Sequence, residues 1–352
     1  MSNKTNPGNY FEDFSLGQGI VHATPRTLSE GDVSLYTALY GSRFAVNSSD
    51  MFAMTLGLQA APVDDLLAFN IVFGKTVPDI SLNAVANLGY AAGRFGAPVY
   101  PGDTLRATSQ VIGLKENSNA KTGIVFVHSI GHNQRDEPVL DFIRWVMVNK
   151  RDPASPAPEP VVPDMPVFVA DEDLVVPEGL DMGGFDTLLS GSDMLWDDYR
   201  VGEKIDHIDG MTIEESEHMM ATRLYQNTAK VHFNQHTQKD GRFACRIVYG
   251  GHIISLARAL SFNGLANALK VVAINAGSHV APTFGGDTIY AWSEVVDKSE
   301  LSGRRDLGVL RLRTVASKDR SCEDFPGKNE DGKYDPSVVL DFDYTVLMPR
   351  ER

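Results

Sequence analysis

The chain repeats itself, and this internal duplication constrains its fold more than any other feature of the sequence. At an offset of 185 residues, residues 11–17 align with residues 196–202. Other matches follow in the same order, namely His22 with His207, residues 93–98 with 277–282, and residues 139–142 with 339–342. Matches that keep their order along the whole length indicate a duplicated domain. We therefore expect two copies of one fold in this chain of 352 residues.

The duplication divides the chain into three parts. Residues 1–150 are predicted to form the first copy, residues 151–194 a linker, and residues 195–352 the second copy. The linker contains the run DPASPAPEPVVPDMP, which has too much proline for a helix and is too irregular for a central strand. We expect an ordered or semi-rigid connection, with a disordered tether as the alternative. About fifteen extra residues in the second copy fit the polar stretch 321–336, which we interpret as a surface loop.

Each copy contains a strongly apolar helix followed by strand-like segments. The helix is predicted at residues 65–73 and again at 251–269, with apolar side chains nearly all round, which indicates burial on most faces. The strands are predicted at residues 104–113, 123–132 and 139–149, and at 288–297, 308–317 and 338–347. A buried helix followed by strands that must cover it is an α+β unit. The expected fold class is therefore α+β, a tandem (double) hot-dog with each sheet wrapped around a long central helix.

Composition limits the classes of function. With 46 acidic and 32 basic side chains the net charge is −14, so a general nucleic-acid-binding surface is not expected. Two cysteines cannot form a disulfide framework or a cysteine-rich metal site. The longest apolar run, residues 247–269, is interrupted by polar side chains, and the N-terminal residues lack the apolar segment of a signal peptide. We expect a cytoplasmic protein with neither a membrane nor a nucleic acid as partner.

The loop after Tyr225 carries the candidate chemistry. It reads LYQNTAKVHFN at residues 224–234, and it resembles the motif Gly-Asp-x-Asn-Pro-x-His of the MaoC-like, (R)-specific enoyl-CoA hydratases. The resemblance implies that His232 is the motif histidine, with Asn227 at the motif aspartate and Lys230 at the motif proline. In that family the aspartate and the histidine share the water that adds across a double bond. Because an amide orients water but cannot take its proton, His232 is predicted to be the catalytic acid/base and Asn227 to orient the water.

The first copy lacks these groups. It reads LYGSRFAVNSS at residues 39–49, which places Ser42 and Asn47 at the two chemical positions. Neither side chain titrates near neutral pH. This predicts a single active site per chain, built in the second copy, while the degenerate first copy accommodates the remainder of the substrate.

A second segment, IVYGGH at residues 247–252, resembles the family's Ile-Val-His-Gly stretch at the start of the central helix. Free amides at Gly250 and Gly251 are predicted to bind the thioester oxygen as it gains enolate charge. The alternative is that these glycines only allow the helix to pack tightly on the sheet. The first copy has Asp64 and Asp65 here, and their carboxylates would repel a developing oxyanion.

Two longer segments, FGKTVPDISLNAVANLGYAAGRFGAPVYPGD and LYQNTAKVHFN, resemble the mesaconyl-CoA hydratase family, whose members are also called β-methylmalyl-CoA dehydratases. This resemblance implies a lyase that reversibly hydrates mesaconyl-CoA to β-methylmalyl-CoA in acetate assimilation through the ethylmalonyl-CoA pathway. It implies no cofactor, since CoA is part of the substrate. We predict Lys230, Tyr225 and Val248 as further substrate-binding residues.

The proposed substrate carries a carboxylate at its far end, which requires a cationic partner when it is buried. The candidates are Lys230, Arg43, Arg94, Arg223 and Arg258. His232 and His236 have the spacing of metal ligands on a helix face, but no glutamate completes the usual signature, so no metal is predicted.

Three other functions stay open. An acyl-CoA thioesterase would hydrolyse the thioester with Asp64 or Asp65, and a medium-chain (R)-enoyl-CoA hydratase would act on a plain acyl chain. A non-catalytic acyl-CoA-binding protein would bind without turnover. Since a duplicated hot-dog mimics the family's two-unit dimer within one chain, we expect two chains to pair further into a homodimer.

Overall fold

Ten β-strands run through residues 4–351, the part of the chain that the computed structural model describes. In chain order they are Gly19–Thr27 (β1), Ala84–Phe95 (β2), Thr104–Glu116 (β3), Thr122–His132 (β4), Pro138–Asn149 (β5), Lys204–Thr212 (β6), Lys270–His279 (β7), Thr288–Glu300 (β8), Leu307–Lys318 (β9) and Val338–Pro349 (β10). All belong to one sheet with the order β1-β3-β4-β5-β2-β7-β10-β9-β8-β6. Each pair of neighbours is antiparallel.

The α-helices of the same residues are mostly short. They are Glu30–Tyr40 (α1), Ala45–Ser48 (α2), Asp50–Thr55 (α3), Asp65–Thr76 (α4), Thr187–Ser190 (α5), Glu215–Leu224 (α6), Lys230–Phe233 (α7), Gln235–Gln238 (α8), Gly250–Leu260 (α9) and Phe262–Leu265 (α10). A π-helical turn, Val77–Ser81, continues α4. Nearly every side chain of α4 and α9 is buried, and both helices contribute to one large hydrophobic core. The predicted fold class, a tandem hot-dog with a buried helix in each half, is confirmed.

The two halves meet where β2 pairs with β7, with Tyr90 opposite Gly277 and Gly93 opposite Ile274. The sequence predicted three strands in each copy and missed these two, together with β1 and β6. Strand β2 reads AVANLGYAAGRF, a run of small residues and glycines with no clean alternation of polar and apolar side chains. Strand β7 is buried along most of its length, so it reads as a continuation of the apolar helix before it.

The predicted helix over residues 251–269 is too long at its C-terminal end. Helix α9 ends at Leu260, and Asn263 and Gly264 have non-helical dihedral angles. The φ of +103° at Gly264 is a left-handed conformation that glycine adopts at little cost. The chain therefore turns and enters β7 at Lys270, which converts the end of one apolar run into the strand that joins the halves.

Both halves keep the same buried polar chain across the three outer strands at their end of the sheet. A histidine ring nitrogen lies 2.8 Å from a serine hydroxyl, which in turn lies 2.7 Å from a second hydroxyl. The two sets are His22, Ser109 and Ser129 in the first half, and His207, Ser293 and Thr314 in the second. Because both copies retain this network, its role is structural, and chemistry must be sought where the copies differ.

Residues 151–194 pack against both halves. Val161 pairs with Leu114 in the first half, and the Val169 amide donates to the side chain of Asn275 in the second, at 2.9 Å. Leu180 belongs to a buried apolar cluster with residues of β7 and β9. The polar stretch 321–336 lies between β9 and β10 as expected.

Within residues 4–351, no helix is long and apolar enough to cross a membrane.

Candidate active site

The loop between α6 and α7 is held in place by the first half of the molecule. Gly74 of α4 lies so close to it that a Cβ atom there would be 1.8 Å from the Tyr225 carbonyl oxygen. The next residue, Gln226, has a φ of +54°, a left-handed conformation that is costly for a side chain other than glycine. The family motif has glycine at this position, which fits the required backbone. The loop is therefore strained and tightly packed, as is common at functional sites.

Within the described part of the chain, residues 4–351, one ring nitrogen of His232 has no hydrogen-bond partner. Its Nδ1 lies 3.0 Å from the Ile247 carbonyl oxygen, and since a carbonyl only accepts, Nδ1 carries the proton and donates it. This assigns the lone pair to Nε2. The ring packs edge-on against Tyr249, with 5.5 Å between centroids. Burial lowers the pKa of His232 to about 4, and the hydrogen bond to Ile247 opposes this only in part. At neutral pH the ring is an uncharged base.

Asn227 is buried and lines a cleft between the two halves. Its Oδ1 accepts a hydrogen bond from the Ala229 amide at 3.0 Å, so the amide nitrogen Nδ2 remains available as a donor. The cleft has a volume of about 560 Å³. Its walls include Lys75 of the first half, and Arg223 and Phe233 of the second. A cleft of this size, shared between two units, is typical of a small-molecule site.

Helix α9 begins at Gly250 with open amides. Among residues 4–351, neither the Gly250 nor the Gly251 N–H donates to an acceptor, as expected for the first turn of a helix. Both glycines are also tightly packed. A Cβ on Gly250 would lie 2.3 Å from the His279 ring, and one on Gly251 would lie 1.9 Å from Asn70 Oδ1. Close packing and open amides therefore coexist at this helix terminus.

The corresponding carboxylates of the first half have structural partners. Asp64 caps α4 by accepting from the Leu66 amide at 2.9 Å, and burial raises its pKa. Asp65 accepts from the Lys270 ammonium and from the Val271 amide, which ties α4 to β7 across the seam. In this arrangement both carboxylates stabilise the fold.

The three predicted substrate contacts lie in different environments. Tyr225 is fully buried, with its hydroxyl 2.6 Å from that of Tyr40, its counterpart in the first copy. Val248 is buried, and its amide donates to the Thr283 carbonyl at 2.9 Å. Lys230 is exposed at the start of α7. Their roles as substrate contacts stay predictions.

The two histidines with metal-ligand spacing do not form part of a larger donor set. His236 is exposed on α8, whereas the His232 ring is directed at Ile247. Residues 4–351 contain no cluster of three or more histidine, cysteine, aspartate or glutamate side chains arranged to hold a metal ion.

Most of the cations predicted as partners of the substrate carboxylate contact other groups of the protein. Arg94 pairs with Asp141 at 2.8 Å, and Arg43 is exposed and packs over the Phe262 ring. Arg258 is buried, packs over the Phe44 ring and donates to neutral oxygens. Arg223 is exposed at the cleft.

Among the buried cations that sequence reasoning missed, Lys75 and Arg144 form no salt bridge within residues 4–351. Lys75 lines the cleft and donates to the Thr24 carbonyl at 2.5 Å, and burial lowers its pKa to about 8. Arg144 is fully buried in β5. A signal for Arg144 was present, because the alternation of β5 places it on the same face as the buried residues Phe142 and Val146.

Comparison with known proteins shows which proteins this chain resembles over most of its length. The family model described as mesaconyl-CoA hydratase matches residues 2–330. The chain is 69% identical over 350 residues to the β-methylmalyl-CoA dehydratase of Chloroflexus aurantiacus, with 99% of each chain covered. It is 61% identical over 347 residues to the mesaconyl-CoA hydratase of Cereibacter sphaeroides, covering 99% of this chain and 100% of the relative.

Solved structures agree with the fold. A MaoC domain protein dehydratase from Chloroflexus aurantiacus superposes with a TM-score of 0.98 at 68% identity, and each chain is covered completely. A double-hotdog protein from Mycobacterium tuberculosis superposes with a TM-score of 0.77 at 25% identity, covering 97% of this chain and 99% of the other.

Proposed function

The chain belongs to the mesaconyl-CoA hydratase family, and from this premise we propose that it is a hydro-lyase that reversibly hydrates mesaconyl-CoA to β-methylmalyl-CoA. One observation carries the proposal from the family to this chain. The neutral His232 ring, with Nδ1 held by Ile247 and Nε2 free, packs on Tyr249, the residue immediately before the open amides of Gly250 and Gly251. The proposed base therefore contacts the residue that precedes the proposed oxyanion donors, which supports hydration of an unsaturated thioester by these groups.

The first step is the addition of water to Cβ. The thioester oxygen accepts hydrogen bonds from the amides of Gly250 and Gly251, which draws electron density away from the conjugated double bond. The Nδ2 group of Asn227 donates to a water molecule and orients it. Nε2 of His232 takes one proton from that water while the water oxygen bonds to Cβ. The π electrons of the double bond move toward the thioester carbonyl and give an enolate with its charge on the thioester oxygen.

The second step returns the proton. The His232 imidazolium protonates Cα, the enolate reverts to the thioester, and the ring is neutral again. One water has been added with no atom or charge left over, so the reaction needs no cofactor besides the CoA of the substrate. Because a single ring makes both proton transfers, we propose that H and OH add to the same face of the double bond.

One assay tests this function against its alternatives. Purified protein is mixed with mesaconyl-CoA while the enoyl-thioester absorbance is followed and a thiol reagent reports free CoA. Loss of absorbance without thiol is the expected result. Release of thiol would instead identify a thioesterase and direct attention to Asp64 and Asp65. Faster turnover of crotonyl-CoA would favour a medium-chain hydratase, and binding without turnover would leave a binding protein.

A further inference from the structure

Arg144 is a buried cation without a buried anion. Its Nη2 donates to the Thr76 hydroxyl at 2.7 Å and lies 3.4 Å from the Ser81 hydroxyl, and its guanidinium packs over the Phe73 ring. Among residues 4–351 no carboxylate lies within ion-pair distance of it, and its Nε has no hydrogen-bond partner. Burial lowers its pKa only to about 10, so it stays charged at neutral pH. A buried charge with only neutral partners is costly, which calls for a function.

A row of polar side chains connects Arg144 to the start of α9. Arg144 on β5 lies directly opposite Tyr90 on β2. The Tyr90 hydroxyl is 3.2 Å from Nε2 of His279 on β7. The His279 ring is the group that a Cβ on Gly250 would strike. The row therefore crosses the seam between the halves and ends at the His279 ring, which packs against Gly250 at the start of α9.

A second path of ring contacts leads from Arg144 to the proposed base. Phe73, which Arg144 covers, lies 5.6 Å from Tyr249 between ring centroids, and Tyr249 lies 5.5 Å from His232. Tyr249 is close enough to Arg144 for the two to interact electrostatically. Its buried hydroxyl has no partner among the described residues. Two buried polar groups, the Tyr249 hydroxyl and Arg144 Nε, thus have no hydrogen-bond partner within residues 4–351.

The duplication shows that this row is specific to one side of the molecule. In the repeat alignment the counterparts of Arg144, Tyr90 and His279 are Tyr344, Ile274 and Phe95. The structure keeps this equivalence, since Tyr344 lies directly opposite Ile274 just as Arg144 lies opposite Tyr90. The polar row is therefore present beside the glycines of α9 and is replaced by apolar and aromatic side chains beside the aspartates of α4.

We propose that Arg144 binds the carboxylate that the substrate carries on Cβ, so that the first half supplies the anchor and the second half the chemistry. This inference rests on the proposed function and names the specificity-determining residue of that site. The carboxylate is bonded directly to Cβ, at the opposite end of the acyl group from CoA, so it enters deepest. A guanidinium offers two parallel donors to the two carboxylate oxygens, which fixes Cβ in front of the water.

The test measures binding and does not depend on turnover. Succinyl-CoA and butyryl-CoA are unreactive probes that differ only in a terminal carboxylate against a terminal methyl group. We expect the wild-type protein to bind succinyl-CoA at least about 100-fold more tightly. The variant R144M should reduce this preference to about threefold or less, and R144K should keep part of it. The control Y344F removes a buried hydroxyl at the matched position of the other half and should leave the preference unchanged.

Two outcomes would overturn the inference: no preference for succinyl-CoA in the wild-type protein, or an undiminished preference in R144M. If R144M does not fold, R144K decides, because an ammonium lacks the bidentate geometry and should lower the preference about tenfold. Failure of the proposed function has a different signature. If the wild-type protein prefers succinyl-CoA but does not hydrate mesaconyl-CoA, the proposed function is wrong and the binding of a carboxylate by Arg144 is still supported.

Discussion

Substitution of Gly250 by alanine separates the two roles of the helix terminus, because the structure gives the size of the clash that the new methyl group makes with the His279 ring. A Cβ on residue 250 would lie 2.3 Å from the His279 ring, whereas real Cβ contacts stay beyond 3.0 Å and are comfortable beyond 3.4 Å. The helix start and the ring must therefore separate by about 0.7 to 1.1 Å. Alanine itself favours a helix over glycine by about 1 kcal/mol, so weakening of the helix is not the cause of any loss.

A shift of this size should be small for stability and large for catalysis. Overpacking of a buried contact costs about 1–3 kcal/mol of the free energy of unfolding. Displacing an oxyanion donor by about 1 Å costs about 100-fold in rate, which corresponds to about 2.7 kcal/mol on the barrier. We expect G250A to be folded, with kcat/KM for mesaconyl-CoA lower by about 100-fold. The assay combines the loss of enoyl-thioester absorbance with thermal unfolding of each variant.

Gly308 provides a matched control in the same half. A Cβ on this residue of β9 would lie 2.4 Å from the Trp196 ring, so G308A imposes nearly the same clash away from the proposed chemistry. It should lose similar stability and keep its activity within about threefold. If folded G250A retains more than about a third of the wild-type rate, the Gly250 amide does not bind the thioester oxygen. Equal losses in both variants would mean that the glycine serves packing alone.

Three further predictions concern His232 and Asp65. His232→Ala should lower kcat by about 10²–10⁴-fold with little change in Tm. The control His236→Ala, at an exposed position, should change neither kcat nor Tm. Retained activity in His232→Ala would exclude His232 as the base. The active form of His232 is neutral and burial lowers its pKa from 6.5 to about 4, so kcat/KM should fall only as the pH drops through about 4. Circular dichroism at each pH checks that the fold persists. A fall in kcat/KM near pH 6.5 would contradict the assignment. Asp65→Asn leaves the largely buried Lys270 ammonium without its carboxylate, so the free energy of unfolding should fall by about 3 kcal/mol. The wild-type protein should release no CoA. If the wild type does release thiol and this variant does not, Asp65 would instead be a thioesterase residue.

Much of the candidate site was visible in the sequence because its chemistry is local. The loop from Gln226 to His232 and the glycines at the start of α9 lie close together along the chain, and each has a counterpart in the first copy that lacks the chemical group. Comparing the copies separated what the fold needs, such as His22 and His207, from what differs between the halves. The apolar periodicity likewise predicted both central helices and six of the strands.

Only the tertiary structure decided how the halves combine. The glycine-rich strand β2 and the largely apolar strand β7 lack the polar–apolar alternation that predicts a strand, yet their pairing joins the two units into one sheet. That pairing brings Tyr90, which lies opposite Arg144, within 3.2 Å of His279, a residue 189 positions away that packs against Gly250. Local sequence determines helices, turns and motifs because their interactions are short-range. The partner of a buried charge depends on long-range strand pairing, which no short segment specifies.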